Sequence, residues 1–105
     1  MLMHTHNLIG VLLLNKRDFV GAIHEFKILR DMAEEVEQDK IRLQAYALLG
    51  SCYQFMKEYE NAIKCFKKQL EISWSKSDYE GEMNAYDKIA INYFYLSDLE
   101  KAKYY

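Results

Sequence analysis

The chain has 105 residues, enough for one small domain and too few for two ordinary ones. Half of it is apolar and 29% is charged, with no proline and only four glycines, which argues against disorder and makes helix the economical expectation. Its 14 basic and 16 acidic residues are well mixed and leave a net charge of −2, unlike a nucleic-acid binder that gathers Lys and Arg on one stripe.

The first element is the apolar run Leu8–Leu14, broken only by Gly10. It falls far short of the ~20 residues that span a bilayer. Its flanks, Met1–His6 and Asn15–Asp18, carry neither the basic start nor the small-residue cleavage site of a secretory signal. No membrane or targeting segment is expected. Leu8, Ile9, Val11, Leu12, Leu13 and Leu14 surround the helix on nearly all sides, and such a helix is normally buried. Further repeats, a partner chain or a ligand helix should therefore cover it.

Asn15-Lys16-Arg17 reads as a short connection to a second helix. Asp39 is the expected cap of a third, from about Lys40 to Phe55, with the face Leu43, Tyr46, Ala47, Gly50, Tyr53. After Met56-Lys57-Glu58 comes the face Tyr59, Ala62, Ile63, Phe66, Leu70. Ser77-Asp78-Tyr79-Glu80 and Ser97-Asp98-Leu99-Glu100 both fit the capping box, in which hydroxyl and carboxylate each satisfy a free N–H. Leu96-Ser97-Asp98 is then a further connection, leaving Asp98–Tyr105 as a last helix of about two turns.

Laid on itself at a shift of 40 residues, the chain repeats. Gly10, Gly50 and Ala90 coincide, as do Leu13, Tyr53 and Tyr93. So do Asp18, Glu58 and Asp98, then Phe19, Tyr59 and Leu99, then Ala22, Ala62 and Ala102, and Phe26 matches Phe66. Each unit is a helix pair, and the expected units are 3–39, 40–78 and 79–105, the last truncated. Helices packed as a hairpin approach to 8–10 Å, which admits only small side chains at the crossing. Gly50 and Ala62 are expected to meet there, with Tyr53, Tyr59 and Phe66 around them.

Leu49-Gly50…Tyr53…Tyr59…Ala62…Phe66, with its equivalents, resembles the tetratricopeptide repeat family over nearly the whole chain. The period of 40 is longer than the usual 34 and looks like the longer-helix variant of Pins-type scaffolds and kinesin light chains. The resemblance implies an all-α solenoid of antiparallel helix pairs whose concave face is lined by the first helix of each pair. It implies a non-catalytic scaffold that holds a peptide or helix of another protein in that groove. The positions carried over are Asn7, Val11 and Asn15 (with His4 and Leu14), then Gln44, Ser51, Gln54 and Phe55 (with Ala47). The third unit supplies Asn84, Lys88, Ile91 and Tyr95 (with Asp87 and Phe94). Amides suit an extended backbone because each carries donor and acceptor, and Phe55 and Tyr95 suit an apolar anchor. The clamp that holds chaperone C-termini would fall on Asn7, Val11, Leu48, Asn84 and Lys88, where only Lys88 is cationic, so that ligand is not expected.

Signals for chemistry are poor. His4 and His6 lie two apart, on different sides of a helix, and His24 reads as a surface residue. No carboxylate or cysteine stands at metal-ligand spacing, and the glycines are too scattered for a phosphate loop. Cys52 and Cys65 form no Cys-x-x-Cys pair and read as buried free thiols, hence an intracellular chain, cytoplasmic or associated with cytoskeleton or cilium. No enzyme activity, cofactor, metal, nucleic acid or membrane is expected. The alternative to the groove reading is self-assembly within a longer repeat protein, as a homo-oligomer pairing through apolar end helices.

Overall fold

The structure is a computed structural model that describes the backbone of residues 2–104 and the side chains of residues 3–98. It consists of α1 (Leu2–Asn15), α2 (Phe19–Glu35), α3 (Asp39–Phe55), α4 (Tyr59–Ser75) and α5 (Tyr79–Tyr104), with no strand among the described residues. Each helix packs on the next in sequence. Side-chain bonds from α1 to α3 and from α3 to α5 put these three in one layer, with α2 and α4 behind them.

Four turns repeat one geometry. Arg17, Glu37, Lys57 and Ser77 are left-handed, with φ of 64°, 54°, 64° and 54°. In the first turn Arg17 N–H donates to Leu14 O at 3.0 Å and Asp18 N–H to Leu13 O at 2.8 Å. The same pair of bonds recurs in the other three, so each is a Schellman stop that satisfies otherwise orphaned carbonyls. The residue after each left-handed position stands immediately before the next helix. Where it is Asp, its side chain caps: Asp18 accepts from Gly21 N–H and Asp78 from Gly81 N–H, both at 3.1 Å.

Three local expectations need correction. Ser77 is the left-handed turn residue, so Asp78 caps α5 in place of a box built on Ser77. Asp39 lies in the first turn of α3, whose N-cap is Gln38, and its carboxylate is taken up by cations instead. Arg42 Nη1 and Lys76 Nζ each donate to it at 2.8 Å, tying the start of α3 to the end of α4. Finally, the connection at Leu96-Ser97-Asp98 does not form, and α5 runs straight through Ser97-Asp98-Leu99-Glu100 to Tyr104. A turn there would force another non-glycine residue left-handed, at roughly 1–2 kcal/mol. Continuing the helix avoids that strain and keeps the hydrogen-bond ladder unbroken.

The hairpin crossing is made by rings over glycines. A Cβ on Gly10 would lie 2.5 Å from the Phe26 ring, and one on Gly50 would lie 2.6 Å from the Phe66 ring. Phe66, not Ala62, thus makes the closest approach to Gly50. The main core joins Ala22, Ile23, Phe26 and Leu29 of α2 to Ala45, Leu49 and Cys52 of α3. Val11, Leu13 and Leu14 of α1 close it from the other side.

One repeat later the interface turns polar. Buried Leu29, Ala33 and Cys52 are replaced by buried Gln69, Ser73 and Asn92. Gln69 Oε1, Ser73 Oγ and Asn92 Oδ1 have no hydrogen-bond partner among the described residues. Such atoms cost about 1–3 kcal/mol each when nothing pairs with them.

Gly50→Ala weighs two effects against each other. Helix propensity favours Ala by about 1 kcal/mol, and overpacking a boxed ring costs about 1–3 kcal/mol. Phe66 is fully buried, so urea denaturation should give a net loss of stability. A gain would mean that the ring moves aside freely. Ser73→Ala copies Ala33 of the preceding unit and should raise stability by about 1 kcal/mol in the same assay. Lys76 and then Arg42 hold the Asp39 carboxyl below its ordinary 3.8. Its contribution is therefore complete above pH 3.8 and is lost as pH falls through the lower folded value. Asp39→Asn should flatten the stability profile below about pH 4, read as melting temperature against pH.

Candidate protein-binding groove

Turns of one repeated geometry bring α1, α3 and α5 side by side. Gln44 Nε2 donates to Asn7 Oδ1 at 3.5 Å, from α3 to α1. Asn92 Nδ2 donates to Gln54 Oε1 at 3.1 Å, from α5 to α3, and to Lys88 O at 2.7 Å. Three of the amides expected to face a ligand therefore already bridge neighbouring helices. A cleft of about 130 Å³ opens between Met3, His4 and Asn7 of α1 and Ile41 and Gln44 of α3, with Leu29 behind.

The other expected residues sit at different depths. Asn15, Asn84, Ile91 and Tyr95 are exposed, whereas Ser51, Gln54 and Lys88 are half-buried. Val11 is half-buried and packs on the core. Phe55 is 59% exposed and stacks on Phe19, with ring centroids 5.5 Å apart and planes 16° apart. Tyr95 stacks on Tyr59 at 5.3 Å and 27°. The two stacks are one contact repeated 40 residues apart: the first residue of one pair's second helix meets the 17th residue of the next pair's first helix, which ends α3 at Phe55 and lies within α5 at Tyr95. Each anchor ring is thereby held in orientation while its residue stays exposed. Leu14, Asn15 and Arg17 join Phe19 and Phe55 around a second cleft, of about 290 Å³.

Asn92 is not among the expected residues, although it supplies the bond that ties α5 to Gln54. Its signal lies in the repeat, where Asn92 falls on the core position of Cys52. The stacking partners Phe19 and Tyr59 are legible in the sequence only as core aromatics.

The titratable groups are structural. His6 Nδ1 pairs with Glu25 Oε2 at 2.5 Å across α1 and α2, while His4 and His24 are exposed. Tyr46 bonds to Glu34, and burial together with that carboxylate pushes its hydroxyl up to about 12. Burial pushes the thiols of Cys52 and Cys65 up to about 11, so both are protonated at neutral pH and weak nucleophiles. Among the described residues no three His, Cys, Asp or Glu side chains could hold a metal ion. No helix among them is long and apolar enough to cross a membrane.

Residues 41–105 match the family profile of the tetratricopeptide repeat. The chain is also 34% identical over 97 residues to the Protein FLUORESCENT IN BLUE LIGHT, chloroplastic, of Arabidopsis thaliana. That alignment takes in 91% of this chain and 31% of the plant protein, so the chain spans about a third of its relative's length. With the all-α architecture and the residues 41–105 so matched, the chain belongs to the tetratricopeptide repeat family.

Proposed function

We propose that the chain is a non-catalytic interaction scaffold that holds a segment of another protein along the face of α1, α3 and α5. The observation that carries this reading is the repeated aromatic stack, which presents Phe55 and Tyr95 at one register in successive units. Rings and bridged amides held in fixed geometry spare a ligand part of the ordering entropy of binding. Asn7, Val11, Asn15, Gln44, Ser51, Gln54 and Phe55 form the first two steps of the site. Asn84, Lys88, Ile91 and Tyr95 form the third. Family membership supports protein binding in general, and the 40-residue period supports the longer-helix class. Two free, protonated thiols, Cys52 buried and Cys65 half-buried, fit an intracellular chain; the word chloroplastic describes the plant relative.

A second reading rests on α1, where Leu8, Ile9 and Leu12 are 50%, 39% and 58% exposed. Contiguous apolar surface of this kind marks a contact, and pairing through the end helices would cover it. The mass of the free chain, followed by light scattering from micromolar to near-millimolar concentration, separates the two. A constant monomer removes the self-assembly reading.

For the groove, a peptide selected from a random displayed library should perturb the amide NMR signals of Gln44, Ser51, Phe55, Asn84 and Tyr95. Its affinity should fall about tenfold in Phe55→Ala, a typical loss for a central aromatic anchor. Circular dichroism must show the helices intact, because the lost stack also costs about 0.5–1.5 kcal/mol. Perturbations confined to the outer faces of α2 and α4 would sink the assignment.

A further inference from the structure

The internal repeat sets the two steps of the groove side by side, and their chemistry differs. The first step is the cleft of about 130 Å³ between α1 and α3, with Leu29 behind it, Ile41 on its wall and the bridged amides of Asn7 and Gln44 at its rim. The turns, the rings over glycine and the aromatic stacks all recur 40 residues on, so the same frame stands between α3 and α5. There Gln69 replaces Leu29, Gly81 replaces Ile41, Ala47 replaces Asn7 and Asn84 replaces Gln44. The walls recede, and the floor turns from apolar to polar. Leu29 is 1% exposed and Gln69 4%, yet Gln69 Oε1 has no hydrogen-bond partner among the described residues. Neither has Ser73 Oγ, one turn further along α4. It lies 2.5 Å from where a Cβ on Gly81 would stand, so the wall that Ile41 builds in the first step is bare backbone here.

The rim is left open as well. Gln44 donates to Asn7 across the first step, whereas Asn84 has no acceptor in Ala47, and its amide bonds to no other described residue. Buried polar atoms without partners are few in a folded chain, so two on one floor call for a partner from outside it. On the groove reading above, on which this rests, we infer that the α3–α5 step receives the side chain of an Asn or Gln of the bound segment, while the α1–α3 step receives an aliphatic one. A primary amide donates through its NH2 to Gln69 Oε1 and accepts through its carbonyl from Asn84, which an amine, having no acceptor, does not do. The terminal torsion of a glutamine is broad and two-fold, so Gln69 can turn its oxygen toward the mouth of the step. The floor is neutral, and Asp78 beside Gly81 is engaged as the cap of α5, so a cation would arrive without a carboxylate of its own. In the first step, a space of about 130 Å³ over Leu29 suits a side chain of the size of Val or Leu, since about 150 Å³ holds one benzene ring. An extended segment rises about 3.3 Å per residue and packed helices stand about 8–10 Å apart, which puts the two side chains about three residues apart.

Peptides drawn from a random displayed library against the whole chain should carry Val, Leu or Ile and, about three residues away, Asn or Gln. Exchanging that Asn or Gln for Leu should weaken binding about tenfold, the loss of a hydrogen-bonded amide. Gln69→Leu copies Leu29 of the preceding unit, and on that variant the Leu-bearing peptide should be preferred instead. Asn84→Ala, on the exposed rim, should weaken the amide peptide and leave the Leu-bearing one unchanged. It supplies a second reading if circular dichroism shows the helices disturbed by Gln69→Leu. Peptides that shift the NMR signals of Gln44 and Phe55 but rank alike on the chain and on both variants overturn this inference and leave the groove reading intact. Selection of Lys or Arg in place of Asn or Gln overturns it too, since Asp78 would then be the partner. Shifts absent from α1, α3 and α5 altogether remove the groove, and this inference with it.

Discussion

A phenylalanine ring seated on a glycine sets the dimensions of this protein. Phe26 over Gly10 and Phe66 over Gly50 hold the two helices of a pair at a distance that neither a larger nor a smaller residue would reproduce. Because the pairs repeat this contact, successive first helices lie side by side at a spacing that side chains can bridge. That spacing lets Gln44 reach Asn7 and Asn92 reach Gln54. It also lets Phe19 and Tyr59 stack on rings belonging to the next unit. The groove is thus a consequence of how the back of the molecule packs. A substitution under either ring should be felt on the opposite face.

The turns contribute regularity at some expense of stability. None of the four left-handed residues is glycine, so each strains the backbone by roughly 1–2 kcal/mol relative to a right-handed position. Two hydrogen bonds per turn and a helix start two residues on offset that strain. The interface at Gln69, Ser73 and Asn92 departs from this regularity, with buried polar side chains where the preceding unit has Leu29, Ala33 and Cys52. What Asn92 supplies there is direction: its bond to Gln54 fixes the level of α5 against α3, which apolar contact alone fixes loosely.

Much of this was legible in the sequence. The period of 40, the helix pairs and the small and aromatic crossing residues all follow from Gly10, Gly50 and Phe66 recurring in register. The turn positions were legible as polar triplets, but their geometry was not, because left-handed Arg, Glu, Lys and Ser carry no glycine signal. Capping was misread for a related reason. A capping box and an Asp cap differ by one residue, and only the fold decides which side of the turn Ser77 falls on. The groove residues were placed by family analogy, which gives a face but not side-chain partners. It could not reveal that Asn7, Gln44 and Gln54 already bond to neighbouring helices.

Those bridges bear on the kind of ligand the groove suits. An amide that bonds a neighbour with one atom still offers its other, so Asn7 keeps donors while Gln44 keeps its carbonyl. A row of fixed donors and acceptors is useful to an extended segment, whose backbone N–H and C=O groups need partners. It is wasted on a helix, which satisfies its own backbone. On the reading proposed above, the ligand of α1, α3 and α5 is therefore an extended segment that completes the partnerships the bridging amides leave open.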